Sequence, residues 1–393
     1  MNMQVKHSIA EKFLADARSL APHIVAARKE MDGERHIPDS LAKLVDKAGV
    51  YRLFLPASMG GPQLHPITAY EVIEEVSKAE ASVGWCGLLS NGGALFTGNF
   101  TPEAASKMFG VPPDFRCAGS FRPIGESRPV PGGYRVSGQW DYASGISNAN
   151  WLFVNSRIID DDGPRMTEAG RPATVMLFTP IETATVHDTW HVVGLCGTGS
   201  NDFVLDDVFV PEERSFRLYD PPLEAGFLYH PRTMLIAIWV LVSAVALGTA
   251  RGAMDAFKEM ASGSGTTIST TLLRDRPQVQ AKVGEAEAII SGARSYLLDA
   301  VASAWDSFSE DMPTPSPELA QARLAITHSI HQAARAVDIL FHAAGTNAIH
   351  RSNGLERRWR DVHVVVQHGA GLLSNYEFGG QAMMGLRPND AGW

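Results

Sequence analysis

Apolar residues in the first part of the chain recur at helical spacing. Phe13, Leu14, Ala17, Leu20 and Ile24 fall on one face of a helix predicted over 9–29, and Pro38-Asp39-Ser40 opens a second that runs to Ala48. After a Gly/Pro-rich connection (Pro56 to Pro66), residues 67–96 read as one or two long helices, with Glu71, Glu74, Glu75 and Glu80 on an early, solvated face. Thr101 is placed to cap a short helix through Phe109, and Pro112-Pro113 ends the unit. From Phe115 the period changes. Short alternating or β-branched runs (RCAGSF, GGYRVSGQW, WLFVNSRI, ATVMLFT, ATVHDTW and NDFVLDDVFVP) are separated by turn residues, predicting a compact antiparallel sheet or barrel. Pro221-Pro222 closes that section, and four long helical patterns follow at 230–262, 278–309, 317–344 and 355–384. The expected fold is α+β in three units: an N-terminal helical domain (1–113), a central β domain (114–222) and a C-terminal four-helix bundle (223–393).

Composition narrows the function. The net charge of −9 argues against a nucleic-acid surface. The three cysteines, Cys86, Cys117 and Cys196, are far apart and lack CxxC spacing, a pattern of reducing compartments. The first twenty residues lack the apolar run of a signal peptide, so a cytoplasmic location is expected. Thr233 to Ala250 is uncharged and just long enough to span a membrane, but it runs straight into an amphipathic GAMDAFKEMA; a helix buried inside a bundle is the expectation, with no membrane role. Gly197-Thr198-Gly199 precedes a predicted strand rather than a helix, so a Rossmann reading fails, and GxxxxGK[ST] and GxSxG are absent. His187/His191 and His328/His331 have no matching acids or thiols, so no metal site is expected.

Four segments in order resemble the acyl-CoA dehydrogenase superfamily. Residues 132–151 (GGYRVSGQWDYASGISNANW) are similar to its flavin-contacting strand pair. Residues 188–214 (DTWHVVGLCGTGSNDFVLDDVFVPEER) and SVGWCGLL at 82–89 are similar above all to its two-component flavin hydroxylases, and residues 342–368 complete the pattern. The resemblance implies a flavin with Tyr142 against the ring and Ser144 beside N5, where a fixed hydroxyl stabilises one redox state. Taken alone, Ser144 could equally cap the turn in YASGISN. Ser120 and Phe121 could line the far side or belong to a plain buried strand; Trp190 could cover the cofactor or be an ordinary buried aromatic. Arg274 and Gln280, with Gly345 and Thr346, match the family's phosphate-contacting pattern supplied by a neighbouring subunit of a homotetramer, although a solvated loop arginine reads the same.

The same resemblance separates two chemistries. A dehydrogenase needs a carboxylate to remove an α-proton. Where the family carries that glutamate after Arg360-Asp361, this chain has His368 and Gly369, and no acid lies between Ala225 and Met254, the other position used. The reduced-flavin hydroxylases carry a histidine at the place of His368, where an imidazole of near-neutral pKa can manage the proton of a flavin C4a-hydroperoxide. The expectation is a monooxygenase. It would use reduced FMN or FAD from a separate NAD(P)H:flavin reductase, together with O2, to hydroxylate or N-oxidise a small, aromatic substrate. The alternative is an acyl-CoA dehydrogenase or oxidase with a displaced base. Asp361 is expected to hold its helix by pairing with an arginine. The phenol hydroxylases' histidine after SxGW is missing, its stretch reading Asn91, Gly92 and Gly93.

Overall fold

The N-terminal apolar stripe becomes one long helix, α1 (Met3–Glu34), with Ala17, Leu20, Ile24 and Met31 buried along one face. The computed structural model describes residues 3–265, 271–309, 311 and 316–386. Helices α2 (Asp39–Lys47), α3 (Pro66–Ala79), α4 (Ala81–Phe96) and α5 (Pro102–Phe109) follow. Thr101 caps α5 by accepting the Ala104 N–H at 3.1 Å. The long 67–96 pattern divides at Glu80, whose backbone is extended (φ −156°, ψ 120°). Its carboxylate is not on a solvated face: it is buried beside Arg28 and Arg357.

The central strands are β1 (Cys117–Val130), β2 (Gly133–Ala143), β3 (Trp151–Asp160), β4 (Gly163–Pro164), β5 (Thr174–Pro180), β6 (Thr185–His187), β7 (Asn201–Pro211) and β8 (Ser215–Phe216). They form one sheet in the order β6-β7-β2-β1-β3-β5-β8, with β4 beside β3. Of the two alternatives, sheet or barrel, the hydrogen-bonded path ending at β6 and β8 gives an open sheet. One expectation is corrected: the sheet is mixed and not wholly antiparallel, because β1 and β3 run parallel from Cys117↔Trp151 to Ser127↔Ile158. The reason is a crossover. After β2 the chain passes over the start of β1, where Asn150 N–H bonds Arg116 O at 2.9 Å, and enters β3 in the direction of β1. That crossover carries Ser144.

The C-terminal helices are α6 (Met234–Gly263), α7 (Pro277–Asp306), α8 (Pro317–Ala344), α9 (Leu355–Val365) and α10 (Ser374–Met383). Helix α6 contains the long apolar segment; 78% of its most apolar window is buried, and it packs against α3 and α8. The fourth helix of the expected bundle is broken. His368 and Leu372 are extended on either side of a 3₁₀ turn, Gly369–Gly371, and a Cβ on Gly371 would run into the Val366 carbonyl. The break puts His368 at the end of α9, facing inward, instead of on a continuous helix.

Candidate active site

Three separate elements meet at one polar cluster: the start of α4, the crossover after β2, and the turn after α9. Trp85 on α4 donates its Nε1–H to Ser144 Oγ at 3.0 Å. The same indole stands edge-on to the His368 ring, centroids 5.5 Å apart at 83°. Ser144 is buried, and its Oγ lies 2.7 Å from Ser200 Oγ, which lies 2.7 Å from Thr198 Oγ1. Thr198 Oγ1 reaches Leu195 O at 2.9 Å. A carbonyl can only accept, which orders the chain: Thr198 donates to Leu195, Ser200 to Thr198, and Ser144 to Ser200. Ser144 therefore spends its proton on Ser200, accepts from Trp85, and keeps one lone pair. It is not merely a turn cap.

Tyr142 adopts a left-handed backbone (φ 62°) and is 61% exposed, its ring edge-on to Trp190 at 6.3 Å. Trp190 is only partly buried and is held by Nε1–H to Leu195 O at 3.1 Å. Ser120 is buried on β1 beside an irregularity in register with β3. Ser120 thus ends the buried run Cys117–Ser120 of β1, whereas Phe121 is exposed and packs 5.5 Å from Phe96.

The loop 189–200 is fastened to α9. Asp361, buried, accepts the Leu195 N–H at 2.6 Å, and Arg360 reaches Val193 O while pairing with Glu356 at 2.7 Å. Leu195 is left-handed (φ 52°), and a Cβ on Gly194 would stand 2.5 Å from Arg360 O. The expected arginine pairing of Asp361 is thus corrected: its hydrogen bond goes to the backbone amide of Leu195, and Arg357 and Arg360 act on it through their charge alone. Burial, then the nearby Glu80, raises its pKa to about 7.

His368 Nδ1 accepts the Ala370 N–H at 3.1 Å. A backbone N–H cannot accept, so Nδ1 holds the lone pair and the proton of the neutral ring sits on Nε2. Burial lowers the imidazole pKa to about 4. The near-neutral titration expected from the sequence is corrected: His368 is uncharged throughout the neutral range.

This donor set fits a reduced flavin. A reduced ring carries a proton on N5 and needs an acceptor, and the polarised hydroxyl chain leaves Ser144 with a lone pair to give. Tyr142, Val193, Leu372 and Leu373 leave large apolar surfaces uncovered on the segments that carry the cluster, which a planar heterocycle can cover. No group of three or more metal-ligating side chains occurs among the described residues.

Arg274, Gln280, Gly345 and Thr346 lie apart from this cluster. Gln280 Nε2–H bonds Arg274 O at 3.0 Å, and Arg274 is exposed, 3.7 Å from Asp275. Gly345 (φ 59°) starts an exposed 3₁₀ turn that includes Thr346 and is tied down by Asn347 to Gly265 O at 3.0 Å.

Comparison with known proteins decides the family. The acyl-CoA dehydrogenase N-terminal domain matches residues 10–103 and the C-terminal domain residues 240–371. The indole-3-acetate monooxygenase of Pseudomonas putida is 32% identical over 360 residues, covering 91% of this chain and 90% of that protein. The chain belongs to the acyl-CoA dehydrogenase superfamily, in its two-component flavin-dependent monooxygenase branch. A second relative of this enzyme is the FADH2-dependent resorcinol hydroxylase, oxygenase component, of a Rhizobium species, 29% identical and covering 92% of this chain and 91% of that one. Among solved structures, XiaF from a Streptomyces species, in complex with FADH2 and glycerol, superposes with a TM-score of 0.89 at 26% identity, covering 99% of each chain.

Sequence reasoning named Ser144 and His368 but gave no role to Trp85, which joins them, or to Thr198 and Ser200, which set the polarity of Ser144. The SVGW segment was the signal for Trp85; nothing in the sequence signals a hydroxyl relay between residues 56 positions apart. Asn91, noted in place of a histidine, is fully engaged: it donates to Val50 O and Gly87 O, each at 2.8 Å, and accepts from Phe54 N–H at 3.1 Å.

Proposed function

We propose that this enzyme is the oxygenase component of a cytoplasmic two-component system, accepting reduced FMN or FAD from a separate NAD(P)H:flavin reductase and hydroxylating or N-oxidising a small aromatic molecule with O2. The observation that carries the reading is the Trp85–Ser144–His368 cluster, with a neutral imidazole where a dehydrogenase would hold a carboxylate. Bound reduced flavin would supply the electrons that activate O2, one atom of which goes to the substrate and the other to water. Ser144, oriented by Ser200 and Trp85, would accept from the ring's N5–H and so favour the reduced state. His368 offers an Nε2–H with no hydrogen-bond partner among the described residues, available to an oxygen atom held over the ring. The apolar face of Trp85 beside the cluster would suit a flat aromatic substrate, and closing the site to water would limit loss of activated oxygen as peroxide. The names of the relatives, an indole-3-acetate monooxygenase and a resorcinol hydroxylase, support an aromatic substrate; "oxygenase component" supports a reductase partner. The exposed Arg274, Gln280, Gly345 and Thr346 are assigned to the flavin phosphates of a partner subunit in a homotetramer.

The test is anaerobic titration with reduced and with oxidised flavin, followed by mixing with O2 and an aromatic substrate. Tighter binding of the reduced form, and product formed in proportion to O2 consumed, are the expected results. A purified protein holding oxidised FAD that an acyl-CoA bleaches would overturn the reading in favour of a dehydrogenase.

A further inference from the structure

The turn that carries His368 is held by donors on every carbonyl. Asn375, at the start of α10 and buried, donates from Nδ2 to Gly369 O at 3.0 Å and Ala370 O at 3.2 Å. Thr327 on α8 donates to the same Ala370 O at 2.7 Å, and His331 Nε2 lies 2.8 Å from Gly371 O. The orientation of Asn375 is not ambiguous. Arg323 directs Nε–H and Nη2–H onto Asn375 Oδ1 at 3.1 and 2.9 Å, and a guanidinium can only donate. Arg323 is itself buried, its guanidinium 5.1 Å from the Trp239 ring centre and 5.0 Å from that of Phe378. The chain of fixed contacts runs from Arg323 to Asn375, to the Gly369–Gly371 turn, to Ala370 N–H, and so to His368 Nδ1.

We propose that Asn375, locked by Arg323, is a positioning residue that keeps His368 in its Nε2–H tautomer. This rests on the reading of His368 as the group that meets activated oxygen. Without the Asn375 amide, Gly369 O keeps only the long Leu372 N–H contact at 3.3 Å and Ala370 O keeps only Thr327, so the turn loses two of its ties and relaxes. Ala370 N–H then leaves Nδ1, which becomes free to carry the proton, and the ring is free to turn. A neutral imidazole in the wrong tautomer offers a lone pair where the proton is needed.

Asn375→Asp separates the two ends of the chain. The carboxylate keeps Arg323 partnered but points an oxygen at Gly369 O and Ala370 O. Thr327→Val removes the other donor to Ala370 O with almost no change in shape, and serves as the second variant should Asn375→Asp fail to fold. Solid-state 15N NMR of histidine-labelled, flavin-free protein, with His368→Asn identifying the signal, reads the tautomer directly. The wild type is expected as Nε2–H. In the folded variant, losing one hydrogen bond to Nδ1 shifts the tautomer ratio roughly 3- to 10-fold toward Nδ1–H. Product formed per O2 falls in parallel, while reduced-flavin affinity holds. A folded variant with the wild-type tautomer ratio overturns the proposal. A shifted tautomer in a protein whose wild type never makes product would leave the tautomer assignment standing and sink the monooxygenase reading instead.

Discussion

His368 holds a hydrogen bond at one nitrogen and leaves the other open, so a substitution can remove one function and keep the other. Asparagine places its Oδ1 close to where Nδ1 stands and can still accept the Ala370 N–H, but it has no group at the Nε2 position. His368→Asn should therefore fold and bind reduced flavin much as the wild type does. Its rate of product formation should fall on the order of 100-fold, the scale of a lost proton-transfer partner, with H2O2 rising to account for the O2 consumed. Because burial puts the imidazole pKa near 4, the wild-type product yield should be flat through the neutral range and fall only on approach to pH 4. A yield that titrates near pH 6.5 would mean the imidazole is solvated. Ser144 gives the complementary case. Ser200→Ala removes the acceptor for its proton, which then turns toward the ring and suits the oxidised state better. The preference for reduced over oxidised flavin should shrink roughly 3- to 10-fold, one hydrogen bond's worth, in paired fluorescence and anaerobic titrations. An unchanged ratio would take Ser144 off the flavin.

Two elements, the loop 189–200 and helix α9, act as one because backbone atoms of the loop are read by side chains of the helix. Asp361→Ala should cost about 1–3 kcal/mol, the buried Leu195 N–H being left without an acceptor, and hydrogen exchange should rise specifically over residues 189–200. If Asp361 served only the arginines around it, exchange in that loop would not change. The sequence showed the helices well because each has a 3.6-residue stripe and often a cap, as Thr101 does for α5. It showed the strands as runs but not their pairing: the parallel β1–β3 arrangement comes from a crossover whose length says nothing about direction. The final helix looked continuous because 355–384 keeps its apolar period; the break lies in the turn Gly369–Gly371, and the close approach of Gly371 to Val366 is something no periodicity reveals. For the site, residue types carried His368 and Ser144 into view through resemblance. The contacts that give them their chemistry join residues 59, 56 and 52 positions apart and are products of the fold.

At the scale of the whole molecule, the same buried groups tie stability to pH, and they do so with opposite signs. His368 has a folded pKa of about 4 against about 6.5 when unfolded. Between those values the unfolded chain binds a proton that the native one does not, so stability falls as pH drops through that window. Asp361 is raised from 3.8 to about 7 by burial and by Glu80. In its window the native state holds the proton, so stability is gained as pH drops. The two effects oppose each other. His368→Asn removes only the first and leaves Asp361 in place, so the difference between the proteins isolates the imidazole. Urea unfolding of both, from neutral pH down toward pH 4, should show the variant gaining on the wild type by up to about 3 kcal/mol, the 2.5-unit depression converted at about 1.36 kcal/mol per unit. A constant difference across that range would mean that His368 takes up its proton as readily in the folded protein as in the unfolded chain, and the neutral Nε2–H donor on which the oxygen chemistry relies would not exist at the acidic end of the working range.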